Sequence, residues 1–103
     1  MARMCRVCKV DEVSVDTMKS FGVNGRRILL SNVSGTIYAI DNECPHMGGE
    51  LDGGDLEGDT VVCPIHYSRF SVVTGKVLEG PSEEDVATFK VKVEDGEIFV
   101  QEP

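Results

Sequence analysis

Two short segments of this chain place a histidine close behind a cysteine. Cys44 and His46 form the pattern C-x-H, and Cys63 and His66 form the pattern C-x-x-H. These are the only two histidines in the sequence. Two thiolates and two imidazoles at these spacings can enclose one electron-rich metal centre, because each short gap lets both of its ligands point at the same place. Almost no other residues of the chain could supply a ligand set.

Other interpretations of these four residues are open. Structural zinc sites also use two cysteines and two histidines, but they ordinarily pair like with like, as C-x(2–4)-C and H-x(3–5)-H. A single iron ion is a further alternative. The cysteines could also be small buried apolar residues without a metal. Because both histidines follow a cysteine by two or three positions, chance is a weak explanation, and the pattern favours a metal cluster.

The segments 44–51 (CPHMGGEL) and 63–81 (CPIHYSRFSVVTGKVLEGP) resemble the Rieske family, in which two cysteines and two histidines hold a [2Fe-2S] cluster. The resemblance implies that Cys44 and Cys63 bind a buried iron and that His46 and His66 bind the outer one. The other residues expected at the cofactor are Gly48, Gly49, Ser68 and Pro81. The glycine amides can approach cluster sulfides closely, and Pro81 matches the proline loop of the family.

Two departures from the family pattern bear on the type of protein. Members from respiratory complexes carry an extra pair of cysteines, and the corresponding positions here are Gly49 and Ile65. The resemblance is therefore to the ferredoxin-type branch. High-potential members place hydroxyl donors at the positions of Ser68 and Phe70, so this chain keeps one donor of the two. Ser68 is alternatively a surface turn residue.

The elements around these segments are predicted to be strands. Apolar residues alternate at period two in several windows, and none repeats at three to four, so the chain reads as all-β. The dipeptides Asn24-Gly25 and Asp95-Gly96 predict hairpins, and Ser34-Gly35 predicts a turn. The expected strands are 4–10, 18–23, 26–32, 36–41, 60–63, 70–73, 77–78, 88–93 and 97–100. This spacing is typical of an antiparallel sandwich or barrel.

The 103 residues are expected to form one Rieske domain. A basal β-sandwich would comprise about 1–41 and 80–103. Residues 42–79, which are rich in glycine and contain both cysteine–histidine segments, would form a smaller inserted cluster-binding subdomain.

The net charge of −8 argues against a nucleic-acid partner and suggests a partner with a basic docking face. No segment has the apolar length of a signal peptide or a membrane span, so we expect no membrane and a cytoplasmic location. Cys5 and Cys8 form a C-x-x-C that lacks further ligands. They are predicted to be reduced structural thiols, with a disulfide or an intermolecular site as the alternative.

No catalytic residue is predicted, because the sequence contains no triad, phosphate loop or nucleotide motif. The leading hypothesis is a monomeric one-electron carrier between a reductase and an oxygenase or other terminal enzyme, and not an enzyme itself. One alternative is the Rieske small subunit of a larger oxidoreductase of the nitrite reductase or arsenite oxidase type. Another is a structural zinc-binding module.

Overall fold

The computed structural model describes residues 3–45, 48–65 and 67–101. The described residues form eleven β-strands, and every pairing among these strands is antiparallel. The strands are β1 (Met4–Lys9), β2 (Met18–Val23), β3 (Arg26–Val33), β4 (Thr36–Asp41), β5 (Asp55–Glu57), β6 (Thr60–Val62), β7 (Arg69–Ser71), β8 (Val77–Glu79), β9 (Thr88–Phe89), β10 (Val91–Glu94) and β11 (Glu97–Gln101). Two single-turn 3₁₀ helices lie at Val10–Glu12 and Leu51–Gly53. The predicted all-β antiparallel fold is confirmed.

The strands form three sheets, with the orders β1-β11-β10, β2-β3-β4-β9 and β5-β6-β7-β8. The sheet of β2, β3, β4 and β9 contributes to two apolar cores. Ile28 and Leu30 point into the core that β1 and β11 also line. Leu29, between them, points into the core that contains Cys44 and Cys63. Because both faces of β3 are covered at its centre, Ile28, Leu29 and Leu30 form an unbroken apolar run and do not alternate with polar residues.

The turns predicted from dipeptides have the expected backbone. Asn24 and Gly25 both have positive φ, at 50° and 80°, and Asp95 and Gly96 have φ of 52° and 75°. Two successive positive φ values are the requirement of a type I′ hairpin, whose twist matches that of the strands it joins. Each turn therefore sets the register of its hairpin, β2–β3 and β10–β11.

The prediction of one strand over residues 88–93 is wrong, because the segment forms two strands that are interrupted at Lys90. The first, β9, pairs with β4, and the second, β10, pairs with β11. Phe89 and Val91 pack against the same core, but Val93 is 49% exposed. The segment changes sheet at this point, which an alternating pattern cannot reveal. The short strand β5 was not predicted.

A β-bulge in β1 determines the environment of the first two cysteines. Cys5 lies opposite Val100 and Cys8 lies opposite Ile98, with a register shift between them. Val100 and Ile98 are two residues apart, so the bulge turns both thiols toward one apolar core. Burial raises the pKa of the Cys8 thiol. None of the four cysteines forms a disulfide. The apolar core around Cys5 and Cys8 favours structural thiols at these two positions.

Within the described residues no helix is both long enough and apolar enough to span a bilayer.

Ser31 in β3 offers a test of the packing. Its hydroxyl is buried and, among the described residues, is the one buried side-chain polar atom without a hydrogen-bond partner. We expect Ser31→Ala to raise the free energy of unfolding by about 1 kcal/mol, since an unsatisfied buried hydroxyl is costly. Ser71 is the control, because its hydroxyl accepts the N–H groups of Val73 and Thr74. Urea unfolding that shows Ser71→Ala to be no worse than Ser31→Ala would contradict the assignment of an unsatisfied hydroxyl.

Candidate metal centre

The first cysteine–histidine segment begins just after β4 and forms a tight loop. The Cys44 N–H donates to the carbonyl oxygen of Gly49 at 2.7 Å, and the Gly48 N–H donates to the carbonyl oxygen of Cys44 at 2.8 Å. Gly48 has a φ of 71°, a conformation that glycine adopts without strain. An isolated bridge between Glu43 and Glu50 closes the loop outside these bonds. The backbone of Cys44 is therefore fixed on both sides.

The second segment, between β6 and β7, repeats this geometry. The Cys63 N–H donates to the carbonyl oxygen of Ser68 at 2.8 Å, and the Tyr67 N–H donates to the carbonyl oxygen of Cys63 at 3.0 Å. Tyr67 has a φ of 63°, which matches the position of the positive-φ glycine in the first loop. Each cysteine thus begins a six-residue loop that is closed by the same two backbone hydrogen bonds.

The two loops bring both cysteines to one place. Cys44 and Cys63 are each 1% exposed and belong to the same apolar core. A Cβ atom built on Gly49, at the end of the first loop, would overlap the side chain of Ile65 in the second and would lie 3.5 Å from the Sγ atom of Cys63. The loops are therefore in contact, and the side chain of Ile65 fills the space that a side chain at position 49 would need.

These features fit a group bound through sulfur. Thiolates are the ligands that iron–sulfur clusters use, and both cysteines lie among apolar side chains. His46 and His66, the two imidazoles predicted as ligands, lie outside the described residues.

The remaining predicted cofactor residues surround the two loops. Gly48 is exposed and Gly49 is buried. Ser68 is buried, and its hydroxyl accepts the N–H of Ser82 at 2.9 Å. The alternative interpretation of Ser68 as a surface turn residue is therefore wrong. Pro81, which follows a cis peptide bond, shares a cavity of about 430 Å³ with Pro45 of the first loop.

Ser82 is a residue near the site that the sequence did not reveal. Its N–H donates to the Ser68 hydroxyl oxygen, and its own hydroxyl donates to the Glu84 carbonyl oxygen at 3.0 Å. A serine that bonds a backbone group two residues later is a common turn feature. That local turn could have been predicted, whereas the contact with Ser68 arises only from the fold.

The contact between the loops gives a further prediction. We expect Gly49→Ala to lower the free energy of unfolding by about 2 kcal/mol, because its methyl group would overlap Ile65. The double variant Gly49→Ala/Ile65→Ala should recover at least about 1 kcal/mol of the free energy of unfolding lost in Gly49→Ala, because the side chain that the new methyl group overlaps is removed. Gly53→Ala is the control, since its Cβ would lie 3.7 Å from Pro64, an ordinary contact. Additive effects of the Gly49 and Ile65 substitutions in thermal unfolding would contradict a contact between the two loops.

Comparisons with known proteins agree with this geometry. A family model described as the Rieske [2Fe-2S] domain matches residues 3–90. The chain is 38% identical over 92 residues to the ferredoxin component of naphthalene 1,2-dioxygenase/salicylate 5-hydroxylase systems of Ralstonia sp., covering 89% of this chain and 88% of the relative.

Solved structures show the same fold. The ferredoxin of carbazole 1,9a-dioxygenase from Nocardioides aromaticivorans IC177 superposes with a TM-score of 0.93 at 29% identity, covering 97% of this chain and 98% of that one. A chain in a complex of reduced oxygenase and oxidised ferredoxin of carbazole 1,9a-dioxygenase gives a TM-score of 0.90 at 28% identity, with coverages of 95% and 92%. The chain therefore belongs to the Rieske [2Fe-2S] domain family, as its sequence predicted, and is an electron-transfer protein of the ferredoxin type, not itself an enzyme.

Proposed function

We propose that Cys44, His46, Cys63 and His66 hold the [2Fe-2S] cluster, two through sulfur and two through nitrogen. The observation that carries this proposal is the pair of matching six-residue loops, which direct both buried cysteines into one apolar core. Each loop has its histidine two or three residues after the cysteine. When bound, the cluster supplies a one-electron couple between two oxidation states.

We further propose that the chain carries electrons from a reductase to the terminal oxygenase of a dioxygenase system that acts on an aromatic compound. The relatives named above serve naphthalene and carbazole dioxygenases. Around the second loop, Ile65 and Tyr67 are 48% and 71% exposed. Exposed apolar side chains on either side of position 66 suit a docking surface from which an electron leaves through a histidine.

The distribution of charge supports docking at the same end of the molecule. Residues 42–85, which contain both loops, hold ten acidic and two basic residues, while the rest of the chain holds eight of each. The whole formal charge of −8 therefore lies on the segment that contains the proposed ligands. Glu83 and Glu84 line the cavity shared by Pro45 and Pro81, beside the first loop. Such an asymmetry orients the protein toward a basic partner surface before contact.

The division into a basal sandwich (about 1–41 and 80–103) and a cluster-binding subdomain (about 42–79) is also proposed. It is supported by the two separate apolar cores, one lined by β1 and β11 and the other containing Cys44 and Cys63. The expected monomeric state and cytoplasmic location stay predictions.

Anaerobic stopped-flow mixing tests the function. Chemically reduced protein is mixed with the oxidised terminal oxygenase of a naphthalene or carbazole dioxygenase system, and recovery of the oxidised visible spectrum is followed. We expect rapid reoxidation that slows as ionic strength rises. At the same ionic strength, Glu83→Lys should be reoxidised more slowly than the unsubstituted protein. Glu94→Lys, an equal charge change on β10, should be reoxidised at the same rate as the unsubstituted protein. Reoxidation no faster with either oxygenase than in buffer would contradict the proposal.

Ser68 is expected to tune the midpoint potential. Its hydroxyl already accepts one hydrogen bond, so its proton is available to donate to a sulfur. A donor stabilises the reduced, more negative state, so Ser68→Ala should lower the potential by about 60 mV for each 1.4 kcal/mol of differential stabilisation. Ser82→Ala, which keeps the backbone N–H, is the control. An unchanged potential in voltammetry of Ser68→Ala would mean that the hydroxyl does not donate to the cluster.

A further inference from the structure

A small polar network connects the first cysteine loop to the sheet beneath it. Asn42 follows β4 directly and stands two residues before Cys44. It is 1% exposed, although it is polar. A buried amide must be hydrogen-bonded to be tolerated, so its partners show what the residue does.

The partners of Asn42 lie at the far end of the same loop. Its Oδ1 atom accepts the N–H of Asp52 at 2.9 Å, and its Nδ2 atom donates to the Asp52 carboxylate at 3.3 Å. The N–H of Leu51 donates to the Asn42 carbonyl oxygen at 2.8 Å. Three hydrogen bonds therefore close residues 42–52 into a ring that contains Cys44.

The same network fastens this ring to the β2–β3 hairpin. The second carboxylate oxygen of Asp52 accepts the hydroxyl of Ser20 in β2 at 2.6 Å. The guanidinium of Arg27 in β3 donates to that hydroxyl oxygen at 2.6 Å, and the Arg27 carbonyl oxygen accepts the N–H of Asn42 at 3.2 Å. The loop is thus held from two neighbouring strands by residues that are not predicted ligands.

We propose that the Asn42–Asp52 pair is a positioning clasp that fixes Cys44 relative to the β2–β3 hairpin and so governs how firmly the cluster is held. The inference rests on the proposed ligand role of Cys44. A loop held by its own hydrogen bonds keeps its sulfur in place whether the cluster is oxidised or reduced, which keeps reorganisation small during electron transfer.

Exchange of the two side chains tests the clasp. Asn42→Asp alone sets two carboxylates against each other, and we expect cluster loss to an iron chelator to be about tenfold faster. The double variant Asn42→Asp/Asp52→Asn restores an amide facing a carboxylate at unchanged net charge, and its rate should return to within about threefold of the original. EPR lines of the reduced protein should broaden in the single variant and narrow again in the double one.

Asn32→Asp is the matched control. Asn32 is also a buried amide, which donates to the Val13 carbonyl oxygen and accepts the N–H of Gly35. Its substitution should destabilise the fold without changing the rate of cluster loss or the EPR linewidth.

Several outcomes would overturn the clasp. They are an unchanged rate in Asn42→Asp, an equal effect of Asn32→Asp, or a double variant no better than the single one. If Asn42→Asp does not fold, the double variant alone decides, and only its near-original rate supports the clasp. An original protein without a [2Fe-2S] cluster would instead refute the proposed function.

Discussion

Replacement of either His46 or His66 by cysteine is expected to abolish the EPR signature of mixed nitrogen and sulfur ligation in the reduced protein. A thiolate adds a negative charge where a neutral imidazole adds none, which disfavours the reduced state. If a cluster is retained, its potential should fall by roughly 250 mV or more, toward the range of all-cysteine ferredoxins. EPR spectroscopy and voltammetry of the two variants provide the measurement.

The other two cysteines provide the control. Cys8 is buried in the core shared with Ile98, and Cys5 packs against that core. Cys5→Ser and Cys8→Ala should therefore retain both the signal and the potential, although Cys8→Ala leaves a small cavity that lowers stability. Loss of the signal in either of these variants would mean that the wrong thiols have been assigned to the metal.

Gly54→Ala is expected to unfold the second cysteine loop. A Cβ atom at this position would overlap the carbonyl oxygen of Val62 and lie 3.2 Å from the Cδ atom of Pro64. These residues stand on either side of Cys63, and a backbone oxygen cannot rotate away as a side chain can. We expect a loss of about 3 kcal/mol or more in the free energy of unfolding, together with loss of the cluster.

Gly58→Ala separates this contact from the general cost of replacing glycine. Gly58 has a φ of 63° but nothing within 4 Å of its would-be Cβ atom, whereas Gly54 has a φ of −95° that alanine adopts without strain. Gly58→Ala should therefore cost only about 1 to 2 kcal/mol and should keep the cluster. Equal losses in chemical unfolding of the two variants would contradict the overlap with Val62.

Most of the sandwich could be predicted because its strands and turns are specified by residues that are neighbours in the sequence. The dipeptides Asn24-Gly25 and Asp95-Gly96 require positive φ values that few other residues adopt, and both turns formed as expected. The break at Lys90 could not be predicted in this way. Phe89 and Val91 continue one alternating pattern although their strands pair in different sheets. Only the three-dimensional positions of β4 and β11 decide that the chain passes from one sheet to the other at Lys90.

The site shows the same division between local and tertiary information. The spacing of Cys44 and Cys63 from their histidines is visible in the sequence, and both cysteines lie in one core as a shared centre requires. The reciprocal bonds of Asn42 and Asp52 join residues ten positions apart through an irregular loop, and no propensity marks such a pair. The residues that we propose to position Cys44 were therefore harder to predict than the proposed ligands themselves.

Nitrogen hyperfine spectroscopy on protein labelled with ¹⁵N only at histidine tests the proposed ligation most directly. The chain contains two histidines, so every labelled nitrogen belongs to His46 or His66. We expect two irons per chain and two directly coordinated ¹⁵N nuclei in the ENDOR spectrum of the reduced protein. A colourless protein with zinc, or an iron–sulfur protein whose spectrum contains no histidine coupling, would contradict ligation of the cluster by these residues.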